Sequence, residues 1–212
     1  MATENAAQGP TLDLLVIAYG SSATDPPDDS RFTGEGQRRV EIKFAPVIPV
    51  RVAGNLRRMQ EWARDTVRGL MFEVKHSNRW HCEFCNKLAR ESHMNFLSWM
   101  HLTPPKVVIY VHLLCDTRGS VCFRRVRENE REMAALTGQP PENMPAPHVP
   151  GVVYPAAAAC TKCERDSTID KTMSRCGRCK LARYCSKECQ TADWPRHKTN
   201  CKVTREVKWV WD

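Results

Sequence analysis

The strongest constraint on this chain is a series of paired cysteines near its C-terminal end. Cys160-x2-Cys163 is followed after twelve residues by Cys176-x2-Cys179, then by Cys185-x3-Cys189 and His197-x3-Cys201. A C-x2-C pair turns the backbone around a metal, and side chains four apart on a helix share a face. Eight such residues make two tetrahedral zinc sites with none left over. A straight helix from Ser186 to His197 would set Cys189 and His197 about 12 Å apart, too far for one ion. The spacing therefore favours splitting "RYCSKECQTADWPRHKTNC" between two sites. A bend, with Asp193 capping a new turn and Pro195 near its first position, leaves a single shared site open.

Metal binding is also the reading that the rest of the chain favours for its eleven cysteines. "MATENAAQGPTLDLLVIAYG" has no basic stretch ahead of its apolar run, and no later segment approaches 18 uninterrupted apolar residues. Neither secretion nor membrane insertion is expected, and a reducing compartment, cytoplasm or nucleus, argues against disulfides. The formal charge of +8 invites a nucleic-acid reading. Within 160–202, however, eleven Lys/Arg face five Asp/Glu, and two zinc ions on seven thiolates would lower that local excess of six by three.

Residues 1–39 read as a largely disordered N-terminus, although "TLDLLVIAY" could dock as a strand. "VEIKF" alternates at period two, and "NLRRMQEWARDTVRGLM" carries an apolar helical face of Leu56, Met59, Trp62, Ala63, Val67 and Leu70. "KLARESHMNFLSWMHL" reads as a second helix, "KVVIYVHLLC" as a buried strand and "RRVRENEREMAALTG" as a third helix ending at Gly138. The span 139–159 holds six of the fourteen prolines and reads as a linker. The expected fold is α+β: a small mixed domain over 40–138, a linker over 139–159, a zinc module over 160–201 and a tail over 202–212.

Residues 160–201 resemble a MYND-type zinc finger in the two C-x2-C pairs, the aromatic of "RYCSKECQ", the "DW" dipeptide and "HKTNC". The resemblance implies two interleaved zinc sites, Cys160, Cys163, Cys185 and Cys189 holding one ion and Cys176, Cys179, His197 and Cys201 the other. It further implies an interaction module, in some relatives one that binds proline-rich peptides along a hairpin edge. That edge would be 179–185, with Gln190 and Trp194 as peptide contacts. Some peptide-binding relatives carry a serine where this chain has Gly177.

A third zinc site is expected from Cys82, Cys85, Cys115 and Cys122, with His112 as an alternative fourth ligand. Trp80, Phe96, Trp99 and Leu102 are expected to pack as core beside that knuckle. The region 80–122 resembles segments found beside MYND fingers in uncharacterised fungal proteins, which implies no activity.

The functional expectation is a non-enzymatic zinc protein of the adaptor or regulatory kind, with a protein partner engaged through a proline-rich peptide. A nucleic-acid partner would instead use Arg175, Arg178, Lys180, Arg183 and Lys187. A methyltransferase is the third reading, since some MYND fingers sit in SET-domain enzymes; the eleven residues after Cys201 argue against it.

Overall fold

The computed structural model describes residues 9–25, 37–138, 142–144, 149 and 151–210. The expected disorder at 1–8 and 26–36, most of the expected linker before residue 151, and 211–212 lie outside these.

The fold is mixed α and β. Strands β1 (Asp13–Tyr19), β2 (Arg39–Phe44), β3 (Glu91–Trp99), β4 (Lys106–Leu114), β5 (Glu142–Met144) and β8 (Thr204–Val210) form one sheet in the order β5-β3-β4-β1-β2-β8. β1 pairs parallel with β4 and antiparallel with β2. A separate two-stranded hairpin joins β6 (Ser174–Arg175) to β7 (Arg183–Tyr184). Helix α1 (Leu56–Lys75) starts where the Asn55 side chain accepts from Arg58 N at 3.0 Å, and its buried stripe of Met59, Ala63, Val67, Leu70 and Val74 packs into the core. Helix α2 (Val121–Thr137) ends at Gly138, whose positive φ of 70° suits glycine. Helix α3 (Lys187–Val203) runs on into β8. Among the described residues no helix is long and apolar enough to cross a membrane.

Several expectations are corrected. Within the segment assigned to a largely disordered N-terminus, the strand considered for "TLDLLVIAY" forms: β1 is an inner strand, with Leu14, Val16 and Ala18 wholly buried on the core face. The expected second helix is β3, paired residue for residue with β4 from Glu91↔Leu114 to Trp99↔Lys106. Its Ala, Leu and Met content suits a helix, but β4 needs partners on both edges and tertiary pairing overrides propensity. Trp80 and Phe96 are core, whereas Trp99 and Leu102 sit at the hairpin end, 38% and 43% exposed.

A further correction concerns how the zinc module is attached. Ala156 to Ala159, at the end of the expected linker, are wholly buried, and Ala157 N donates to Ala89 O at 2.7 Å. The expected tail is β8, which pairs with β2 from Arg39↔Val210 to Phe44↔Thr204. Half-buried Val207 and Trp209 of β8 pack on the main core. The module is thus joined to the sheet at both of its ends.

Candidate metal centres

Three groups of side chains bring four donor atoms each within 4.8 Å of one another: Cys82, Cys85, Cys115 and Cys122; Cys160, Cys163, Cys185 and Cys189; and Cys176, Cys179, His197 and Cys201. Each matches a quartet expected from the sequence. Backbone geometry explains the first. Cys82 N donates to Lys87 O and Glu83 N to Leu113 O, which pins the knuckle beside the end of β4. Cys115 follows β4 directly, and Cys122 lies in the first turn of α2, capped by Ser120.

α3 contributes to both remaining groups. It runs unbroken with Pro195 inside it, capped by Ser186 accepting from Cys189 N at 3.2 Å. Cys189 in its first turn joins Cys160, Cys163 and Cys185, while His197 and Cys201, one turn apart on the same face, join Cys176 and Cys179. The bend considered at Asp193 is absent. Asp193 is instead buried, accepting from Tyr184 OH at 2.9 Å and from Arg196.

The spacings fit zinc. Ligands at about 2.3 Å from a tetrahedral ion put neighbouring sulfurs about 3.8 Å apart. Observed separations are 3.7 Å for Cys85–Cys115, 3.9 Å for Cys163–Cys185, 3.6 Å for Cys185–Cys189 and 3.9 Å for Cys176–Cys201. The Cys179 Sγ to His197 Nε2 distance is 3.6 Å. Disulfide sulfurs would be near 2.05 Å, and all eleven cysteines are free. Each group could bind one zinc ion, with every position filled by protein.

Electrostatics agree with a cation at each centre. Burial raises the Cys163 thiol, but Arg165, through its N–H and side chain, outweighs burial and brings it down to about 7. Burial likewise opposes ionisation of Cys176, yet the N–H of Cys179, His197 and the N–H of Arg178 bring it down to about 7. Cys85 is also lowered: the Lys87 N–H and neighbouring thiols outweigh burial. Their partners Cys122 and Cys201 are pushed up to about 12, first by burial and then by the adjacent sulfurs. A divalent ion at the centre of each group would let its thiols ionise together.

The signature of the second and third groups is recognised by comparison with known proteins, since the model for the MYND finger matches residues 160–201. These residues are a MYND finger. Over 42 residues the chain is 50% identical to "N-lysine methyltransferase SMYD2-A" of Danio rerio, covering 20% of this chain and 10% of that protein. It is 54% identical over 39 residues to the human "N-lysine methyltransferase SMYD2", 18% of this chain and 9% of that one. With "SET domain and MYND-type zinc finger protein 6" of Schizosaccharomyces pombe it shares 47% over 49 residues, 23% and 10% of the two chains. The chain thus spans about a tenth of the length of these relatives, and the likeness falls on the finger. No solved structure matches the chain significantly.

The MYND finger is fixed to the rest of the molecule by a residue that its own sequence does not contain. Glu73 of α1, 1% exposed, lies with Oε1 3.1 Å from His197 Nδ1 and 2.8 Å from Arg196 Nη1, while Oε2 accepts from Asn200 Nδ2 at 2.8 Å. A carboxylate on the far nitrogen of a metal-ligand histidine fixes the ring's tautomer and orientation. Sequence reasoning missed Glu73, though a carboxylate adjoining the buried stripe of α1 is its signal. The far side of the hairpin is also held: Arg175 donates to Ser77 O and its guanidinium lies 4.8 Å from the Trp209 ring.

Other expected roles shift. His112 is not among the donors; its Nδ1 is 2.7 Å from Glu83 Oε2, and that carboxylate outweighs burial and raises its pKa. The segment 179–185 is not a free strand edge, because the Arg183 N–H and C=O are both bonded to Thr161. Arg183 is buried and Arg175 is packed on Trp209, so the basic patch reduces to Arg178, Lys180 and Lys187. Gln190 is half-buried, whereas Trp194 is 44% exposed with its ring 6.1 Å from that of His197.

Proposed function

We propose that this protein is a non-enzymatic interaction protein, of the adaptor or regulatory kind, acting in the cytoplasm or nucleus, whose MYND finger captures a partner through Trp194 and Gln190. MYND domains generally mediate protein–protein interactions, and the observation that carries this reading is the exposure of Trp194. A large ring left 44% open on a helix otherwise committed to metal ligation and domain contact is poorly used as core. A flat aromatic face suits proline, so a proline-rich peptide is the ligand class. The peptide would lie across α3 and not along 179–185, where Thr161 already holds the β7 backbone.

The non-catalytic reading is supported by the closed donor sets, which leave no position for a metal-bound water, and by likeness to methyltransferases in the finger alone. Trp194→Ala should keep three zinc ions and the urea midpoint while abolishing capture of a proline-rich peptide in calorimetry. Unchanged capture would remove the proposed contact. S-adenosylmethionine should give no heat of binding, and a saturable signal would reopen catalysis.

A further inference from the structure

The sheet has a second face, turned away from α1, which the finger reading does not use. Leu15, Ile17, Tyr19, Tyr110 and Leu97 on this face are only half-buried. α2 rests on one end of it through Cys122, Val126 and Glu130. The same helical stripe continues to Met133 and Leu136, which are 55% and 81% exposed. Between this end of α2 and the sheet opens a cleft of about 790 Å3, with Tyr19, Tyr110 and Leu97 on one wall and Met133 and Leu136 on the other.

The charge of this cleft runs against that of the chain. In a molecule of formal charge +8, the carboxylates Glu83, Glu128, Glu130 and Glu132 line it beside Arg125 and His112. Glu83 is bonded to His112 and Gln37, and Glu130 to His93 and Arg127. Glu128 and Glu132 make no ion pair among the described residues. A concave surface combining an excess of carboxylates over cationic side chains, tyrosine rings and exposed aliphatic side chains is complementary to a chain that alternates aliphatic and cationic residues.

We propose that the cleft between α2 and the open sheet face is a second docking site, which takes an extended basic peptide of a partner protein. Its aliphatic residues meet Leu97, Met133 and Leu136. Its lysine or arginine stems lie along the tyrosines, with their charges toward Glu128 and Glu132. This inference does not depend on the finger's ligand.

The test uses the full zinc-loaded chain and the probe acetyl-LKLKLKLK-amide, followed by fluorescence anisotropy, with acetyl-LELELELE-amide and spermine as comparisons. Saturable binding of the basic peptide alone is expected. Removing each rim charge, by Glu128→Gln or Glu132→Gln, should weaken it about threefold, and the double variant about tenfold. Both residues are exposed, so these variants fold. Leu136→Ser should weaken binding too, and Trp194→Ala should leave it unchanged. Equal binding by the double variant, equal binding of the acidic peptide, spermine binding without peptide binding, or loss in Trp194→Ala would each overturn the proposal.

Discussion

Glu73 Oε1 lies 3.1 Å from His197 Nδ1, so a carboxylate from α1 in the sheet domain orients a ligand of the finger's second metal centre. With Nε2 given to a zinc ion, Nδ1 would carry the proton and donate to Glu73. The finger in this chain is therefore completed by a residue 124 positions from its histidine. Glu73→Ala should lower zinc affinity at that centre alone, about 10- to 100-fold, as lost outer partners of metal ligands usually do. Competition against a chromophoric chelator reads this directly: one ion of three should leave early. Simultaneous release of all three, or an unaltered profile, would argue against the assigned role.

Zinc stoichiometry is the next expectation. Native mass spectrometry of the whole chain should count three ions, one per donor group. Cys115→Ser should hold two, because Cys115 belongs to the centre between β4 and α2 and touches neither finger site. Structural zinc contributes on the order of 10 kcal/mol of apparent binding energy, so chelation of the wild type should abolish cooperative unfolding.

The donor pairs were legible because ligand spacing is local, two residues in a knuckle or four on a helix, whereas which pairs of the finger share an ion was implied by the resemblance to MYND fingers. α1 was legible for the same reason, its apolar stripe recurring every three to four residues from Met59 to Val74. What the sequence hid is long-range pairing. β3 is made strand by β4, through a register that no property of "KLARESHMNFLSWMHL" announces. Thr204–Val210 follows a helix and reads as a short charged end, yet it pairs with β2, at least 160 residues away. His112, the alternative fourth ligand, is turned instead to Glu83, its Nδ1 2.7 Å from Glu83 Oε2.

That pairing makes Trp209 a stability element. Its ring is 6.0 Å from Trp80 and under the Arg175 guanidinium, and it bridges sheet and hairpin. Trp209→Ala should destabilise the chain by about 2–3 kcal/mol, since the side chain is half-buried and a cation–π contact goes with it. Urea unfolding with zinc present should show a lower midpoint at unchanged slope. A shift below about 0.5 kcal/mol would mean that β8 adds little to the fold.

The Glu130–His93 pair should give stability an acid limb. Their atoms are 2.6 Å apart, with Arg127 at 2.8 Å on the other oxygen. Burial alone would raise the Glu130 pKa, but the hydrogen bond from His93 and the charges of His93 and Arg127 outweigh it, so the net shift is downward. A carboxyl group that is more acidic folded than unfolded stabilises the fold above its unfolded value, about 4.3, and loses that contribution as pH falls through the folded value. Wild type should therefore exceed Glu130→Gln by about 1–2 kcal/mol at pH 7, the scale of a hydrogen bond to a charged group. The gap should close as pH falls through the folded value. The comparison is read only at pH values where native mass spectrometry still counts three ions on both proteins. A gap that stayed constant on zinc-loaded protein at a pH below about 4.3 would mean that Glu130 acts by packing and not by its charge.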